Sequence, residues 1–144
     1  MKLEISTTLQ LKEIQIKRFS LEENIDGINK FLLDADFLPV VVEGKDGKSY
    51  KGINFTLKIN YKAKKPALKA DIEILALFEI NKNLKEEEQA MYILYNGLSI
   101  LYGIVRGMIF QACSVLPPFM RLLPTVNIAE FIQVRLKKTE GELK

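Results

Sequence analysis

The chain has 144 residues, 48% of them hydrophobic and 27% charged, with only five prolines; at about 150 residues per domain this describes one folded unit rather than a disordered chain. It contains no His, no Trp and a single Cys, Cys113, which excludes Ser-His and Cys-His couples, His-rich zinc sites, an intrachain disulfide and any multi-cysteine metal cluster. Twenty-one Lys and Arg against 18 Asp and Glu give a net charge of +3, far from the excess of a dedicated nucleic-acid binder, and the composition as a whole leans against an enzyme.

The N-terminus, Met1 to Glu4, alternates in polarity and lacks an apolar signal core, so with a free thiol the expected compartment is the cytoplasm. Leu3, Ile5, Thr7, Leu9 and Leu11 share one face at period two. Ile14 and Ile16 continue one residue out of phase, which predicts a strand with a β-bulge near Lys12 and Glu13. Asp26-Gly27 breaks the pattern, and a short helix is expected from Ile28 to Leu33. Phe37 to Val42 reads as extended, followed by a turn at Gly44 to Gly47. Ile53, Phe55, Leu57, Ile59 and Tyr61 then alternate with polar residues. After a turn over Lys62 to Pro66, Leu68, Ala70, Ile72, Ile74, Ala76 and Phe78 do the same, predicting an antiparallel hairpin. Leu75 and Leu77 imply that the last strand is covered on both faces.

After Ile80 the period becomes helical. Asn83 with Glu86 forms a candidate capping box, and Glu86, Glu87 and Glu88 suit the positive end of a helix. A break is expected at Asn96-Gly97. A second helix is expected from Leu98 to Leu116, stopped by Pro117-Pro118, then an extended stretch from Phe119 to Leu123. Asn127 with Glu130 caps a last helix carrying Ile128, Phe131, Ile132, Val134 and Leu136. Lys137 to Lys144 is a polar tail, expected to be loose, which leaves residues 1–136 as the single domain. Strands first and helices second make the fold class α+β.

Two segments admit more than one meaning. Leu98 to Leu116 has one charge, Arg106, and is long enough to span a membrane. An intramembrane Arg is costly, however, and amphipathic antiparallel strands precede the segment, so the favoured reading is a helix buried in a subunit interface, without membrane insertion. Lys45, Lys48, Lys51, Lys58, Lys62, Lys64, Lys65 and Lys69 could meet an anionic partner. Set opposite the alternating apolar positions, they read more simply as the solvated face of a hairpin that resists edge-to-edge pairing, and nucleic acid is not the expected partner. Cys113 has no His or second Cys nearby and reads as a small buried residue. No Gly-rich phosphate loop, GxSxG elbow or DxD pattern occurs.

Several stretches together resemble the SecB export-chaperone family: Ser99 to Arg106, Pro117-Pro118, Leu123 to Phe131, Phe37 to Val41, Phe19 to Glu22, and Leu77 to Ile80. Their order and spacing carry the resemblance, over about Ile14 to Leu136. It implies a SecB-like four-stranded antiparallel sheet followed by a long helix and a C-terminal helix, assembled as a homotetramer (a dimer of dimers) through the long helix, with Tyr102, Arg106 and Ile109 at the interface. The implied activity is that of an ATP-independent holdase, with no cofactor and no metal, which binds unfolded precursor proteins for export. The alternative is a dedicated chaperone of one client, such as an antitoxin. The family's client groove falls on Phe37, Val41, Ile132 and Leu136, and its motor-docking face on Glu22 and Asp71. Arg18 and Lys69 replace an acid and an apolar contact on that face, which counts against the motor SecA as a partner.

Overall fold

The computed structural model describes the backbone of residues 1–143 and side chains through Gly141. Four strands come first: β1 (Leu9–Glu23), β2 (Leu33–Glu43), β3 (Ser49–Ile59) and β4 (Leu68–Ile80). They form one antiparallel sheet in the order β1-β4-β3-β2. Helices follow: α1 (Glu86–Tyr92), one π-helical turn (Ile93–Gly97), α2 (Leu98–Ala112), the one-turn α3 (Pro118–Arg121) and α4 (Ile128–Leu143). The α+β class and the strand–long helix–C-terminal helix order are those expected.

Alternation explains the sheet. In the central pair, Ile53, Phe55, Leu57 and Ile59 stand opposite Ala76, Ile74, Ile72 and Ala70, so all eight share one face. That face is buried beneath Leu98, Leu101, Val105 and Ile109 of α2. β1 shifts register between Leu11 and Glu13, where the phase slip required a bulge, and again between Ile16 and Arg18. On the other face Leu75 and Leu77 are also buried. Gly52 lies across from Leu77, where an added Cβ would sit 2.5 Å from the Ala76 carbonyl oxygen and 2.9 Å from Leu77 Cδ2.

Several local expectations are corrected. Leu3 and Ile5 stay outside the strand, because the β4 ladder ends at Ile80 opposite Leu9 and offers them no partner. No helix forms from Ile28 to Leu33. That stretch runs along the β3–β4 turn instead, with Ile28 N–H donating to Lys65 O at 2.7 Å. The Asn83–Glu86 capping box is not made: the Asn83 N–H is taken by Asn81 Oδ1 at 3.0 Å, and α1 starts after Lys85 without a side-chain cap. Asn96-Gly97 is a π-turn in a continuous helical stretch from Glu86 to Ala112. Gly97 lets the helix approach the sheet closely there, since a Cβ would lie 2.9 Å from Ile53 Cδ1 and 3.2 Å from the Phe78 ring. The long helix stops at Ala112, with Cys113 extended at ψ 133°, four residues before the expected end. Pro118 then starts α3, so Phe119 to Arg121 are helical, and the expected extended conformation begins only at Leu122. Asn127 does cap α4, its Oδ1 accepting from Glu130 N–H at 3.0 Å, and α4 continues through Leu143, past the point where a loose tail was expected to begin.

By length and composition the 27-residue stretch Glu86–Ala112 could cross a membrane. Here its inner face, from Ile93 and Leu94 through Leu98, Leu101, Val105 and Ile109, is built into the sheet-facing core of the protomer.

Candidate functional site

One end of the sheet gathers the chain's connecting segments. β1 ends there at Glu23, β2 begins at Leu33, and the β3–β4 turn lies between Ile59 and Leu68. The segment crossing from β1 to β2 is laid along that turn by backbone bonds: Asn24 N–H to Ala67 O at 2.8 Å, Ala67 N–H to Ile28 O at 2.9 Å, and Asn60 N–H to Leu32 O at 2.9 Å. Gly27 permits the close approach, since a Cβ there would fall 2.6 Å from backbone atoms of Pro66 and Ala67.

Asn60 is the pin of this region. It is buried, sits at φ 62°, donates from Nδ2 to Lys30 O at 2.6 Å and Leu68 O at 2.7 Å, and accepts from Leu32 N–H at 2.7 Å. A buried Asn with every polar atom used locks the crossing segment rather than serving chemistry.

The segment after α2 reaches the same end through Glu23. Its carboxylate accepts from the backbone N–H groups of Ser114, Val115 and Leu116 at 3.0–3.1 Å. Desolvation pushes the Glu23 carboxyl upward, but the Ser114, Leu116 and Val115 N–H donors outweigh it and hold the pKa at about 2. Burial, with the Glu23 charge beside it, pushes the Cys113 thiol up to about 11, leaving it protonated and inert. Arg121 of α3 donates back to Cys113 O and stacks 4.8 Å from the Phe110 ring centroid.

These links leave apolar side chains exposed on both connecting segments: Ile25, Ile28 and Leu32 on one, and Val115, Phe119 and Leu122 on the other. Phe119 is 68% exposed and Ile28 55%, far beyond what core packing requires. Large apolar groups exposed on ordered connections are candidates for contact with another molecule. Sequence reasoning missed them, because a loop hydrophobe has no periodicity to betray it.

The positions expected from the family are placed differently. Phe37 is 5% exposed and packs edge-on to Phe131, ring centroids 5.5 Å apart, while Ile132 is fully buried. Both are core between β2 and α4. Val41 (70% exposed) and Leu136 remain open to solvent. Tyr102 and Ile109 point into the protomer: the Tyr102 hydroxyl donates to Pro124 O, and Arg106 Nε donates to Leu123 O at 2.7 Å. The outward face of α2 instead carries Ile100, Gly103, Ile104, Gly107 and Met108. Glu22 is exposed opposite Lys69, and Asp71 is paired with Arg18 at 2.9 Å, which also holds Glu73 at 2.9 Å. Among the described residues no cluster of three or more His, Cys, Asp or Glu could hold a metal ion.

No family model matches the sequence, and no curated protein matches it. Among solved structures, the fold is similar to the SecB-like chaperone Rv1957 of Mycobacterium tuberculosis, solved in complex with a ChAD peptide from the HigA1 antitoxin. The TM-score is 0.52 at 23% identity, over 83% of this chain and 91% of that one. The chain therefore has a SecB-like fold.

Proposed function

We propose that the protein is an ATP-independent holding chaperone that binds unfolded polypeptide segments at the apolar end of its sheet. The observation that carries the reading is the display of Ile25, Ile28, Leu32, Val115, Phe119 and Leu122 on two connections pinned by Asn60 and Glu23, within a SecB-like fold. Rigid display of apolar side chains lowers the ordering cost of capture, and an extended client supplies matching side chains with no chemical step.

The test is light scattering of a chemically denatured client diluted into buffer. Near-stoichiometric protein is expected to suppress aggregation without nucleotide, and Phe119→Ser with Leu122→Ser to weaken suppression several-fold at unchanged circular dichroism. Undiminished aggregation across a tenfold excess of protein defeats the proposal.

A narrower reading is a chaperone dedicated to one client such as an antitoxin, favoured by the antitoxin peptide held in the structurally similar protein. A pull-down returning one stoichiometric partner supports it over the general holdase. For assembly, the proposal places subunit contact on the outward face of α2 around Ile104 and Met108, since Tyr102 and Ile109 are already used inside the protomer. SecA is not part of the proposal, because docking through Asp71 would have to displace Arg18.

A further inference from the structure

We infer that this site selects apolar client segments flanked by acidic residues, because one rim of it is a lysine-rich hairpin tip whose charge is only partly compensated. The inference rests on the client-binding reading above and names the class of client. Residues 58–69 contain five lysines and no acid. Lys62, Lys64 and Lys65 sit in the turn itself, and none of the five forms an ion pair among the described residues. Their register neighbours Glu22, Asp34 and Asp71 offset the charge only in part, since Asp71 is held by Arg18 at 2.9 Å.

Contiguity makes this charge part of the site. Ile28 N–H donates to Lys65 O at 2.7 Å, and Leu32 N–H donates to Asn60 Oδ1 at 2.7 Å, so the exposed Ile28 and Leu32 lie directly along the lysine-bearing turn. An extended segment that places apolar side chains on Ile28 and Leu32 carries its flanking residues past Lys62, Lys64 and Lys65. Carboxylates there are attracted, and Lys or Arg there is repelled, which gives selectivity and a faster encounter. A polypeptide fits this rim better than a nucleic acid. Tyr61, the aromatic ring of the tip, has the ammonium groups of Lys69 and Lys58 at 4.7 and 5.7 Å from its centroid, so it does not offer a free stacking platform for bases.

The test is fluorescence anisotropy with three labelled peptides sharing one Phe/Leu core, flanked by Asp and Glu, by Gln, or by Lys. A single-stranded RNA oligonucleotide is the fourth probe. At low salt the acid-flanked peptide is expected to bind about tenfold tighter than the Gln-flanked one, a difference of about 1.4 kcal/mol. The Lys-flanked peptide is expected to bind most weakly. The preference should collapse toward 1 M salt, where the Debye length falls to about 3 Å. It should also collapse in the Lys62→Gln, Lys64→Gln, Lys65→Gln variant, whose affinity for the Gln-flanked peptide should be unchanged. Equal affinities for the three peptides overturn the acidic preference and leave the holding function standing. Binding of RNA but not of the acid-flanked peptide overturns it in favour of a nucleic-acid partner. Failure of every peptide to bind overturns it together with the client-binding reading.

Discussion

Replacing Glu23 by Ala removes a carboxylate that joins the end of β1 to the chain leaving α2, across 91 residues of sequence. Three backbone N–H groups, those of Ser114, Val115 and Leu116, lose their carboxylate acceptor at 3.0–3.1 Å. Hydrogen bonds to a charged group contribute about 1.5–3 kcal/mol each when buried. Ser114 and Val115 are exposed, so water replaces much of what is lost, and the net cost is about 3 kcal/mol for Glu23→Ala. Glu23→Gln keeps one acceptor oxygen without the charge and should cost about 1 kcal/mol. With a melting shift of about 2–4 °C per kcal/mol at this size, Glu23→Ala should melt about 6–12 °C lower at pH 7. Amide exchange at 114–116 should accelerate with it. The pH dependence has a fixed sign. A carboxyl with its pKa lowered from 4.5 to about 2 contributes stability that is full above about pH 4.5 and lost as pH falls toward 2. Wild type and Glu23→Ala should therefore converge in melting temperature across that window. A Glu23→Ala variant that melts within 1 °C of wild type at pH 7, with unchanged exchange at 114–116, refutes the clasp.

Ile132→Asp should unfold the protomer rather than merely weaken client capture, because it places a carboxylate at a fully buried core position; loss of the cooperative melt at 25 °C checks this, and a folded protein with reduced binding contradicts it. Asn60→Ala should cost about 3–4 kcal/mol, since it leaves the Lys30 and Leu68 carbonyls and the Leu32 N–H unpaired and strains a residue at φ 62°, whereas Asn60→Gly, which relieves only the strain, should recover about 1 kcal/mol in denaturant unfolding. Gly107→Leu adds a side chain to open space on the outward face of α2, so the protomer should fold normally while the mass from light scattering drops; an unchanged mass places assembly elsewhere.

What was legible in the sequence is what local periodicity can encode. Strict alternation through Phe55, Leu57, Ile72 and Ile74 specified the central hairpin and its buried face, and the slip from Leu11 to Ile14 located a bulge that the β1–β4 register then shows. Three of the errors share one cause, partners remote in sequence. The long helix ends at Ala112 with the following amides held by Glu23, and a Gly read as a break is a close approach of helix to sheet at Ile53. The expected helix after Gly27 is an extended strip hydrogen-bonded to a turn more than 30 residues on. The candidate site was illegible for a related reason. Phe37 and Ile132 stand at family-like positions yet pack as core, while Phe119 and Ile28 lie on connections where no pattern marks a hydrophobe as exposed.

The central claim is that the two pinned connections at one end of the sheet hold unfolded chains. Hydrogen exchange read by mass spectrometry, with and without a denatured client under holding conditions, tests it most directly. The account predicts that client slows exchange in residues 24–32 and 113–123 while the central strands β3 and β4 are unaffected. Protection confined to the exposed face of the sheet around Arg18 and Glu73, with both connections exchanging as in the free protein, would contradict it.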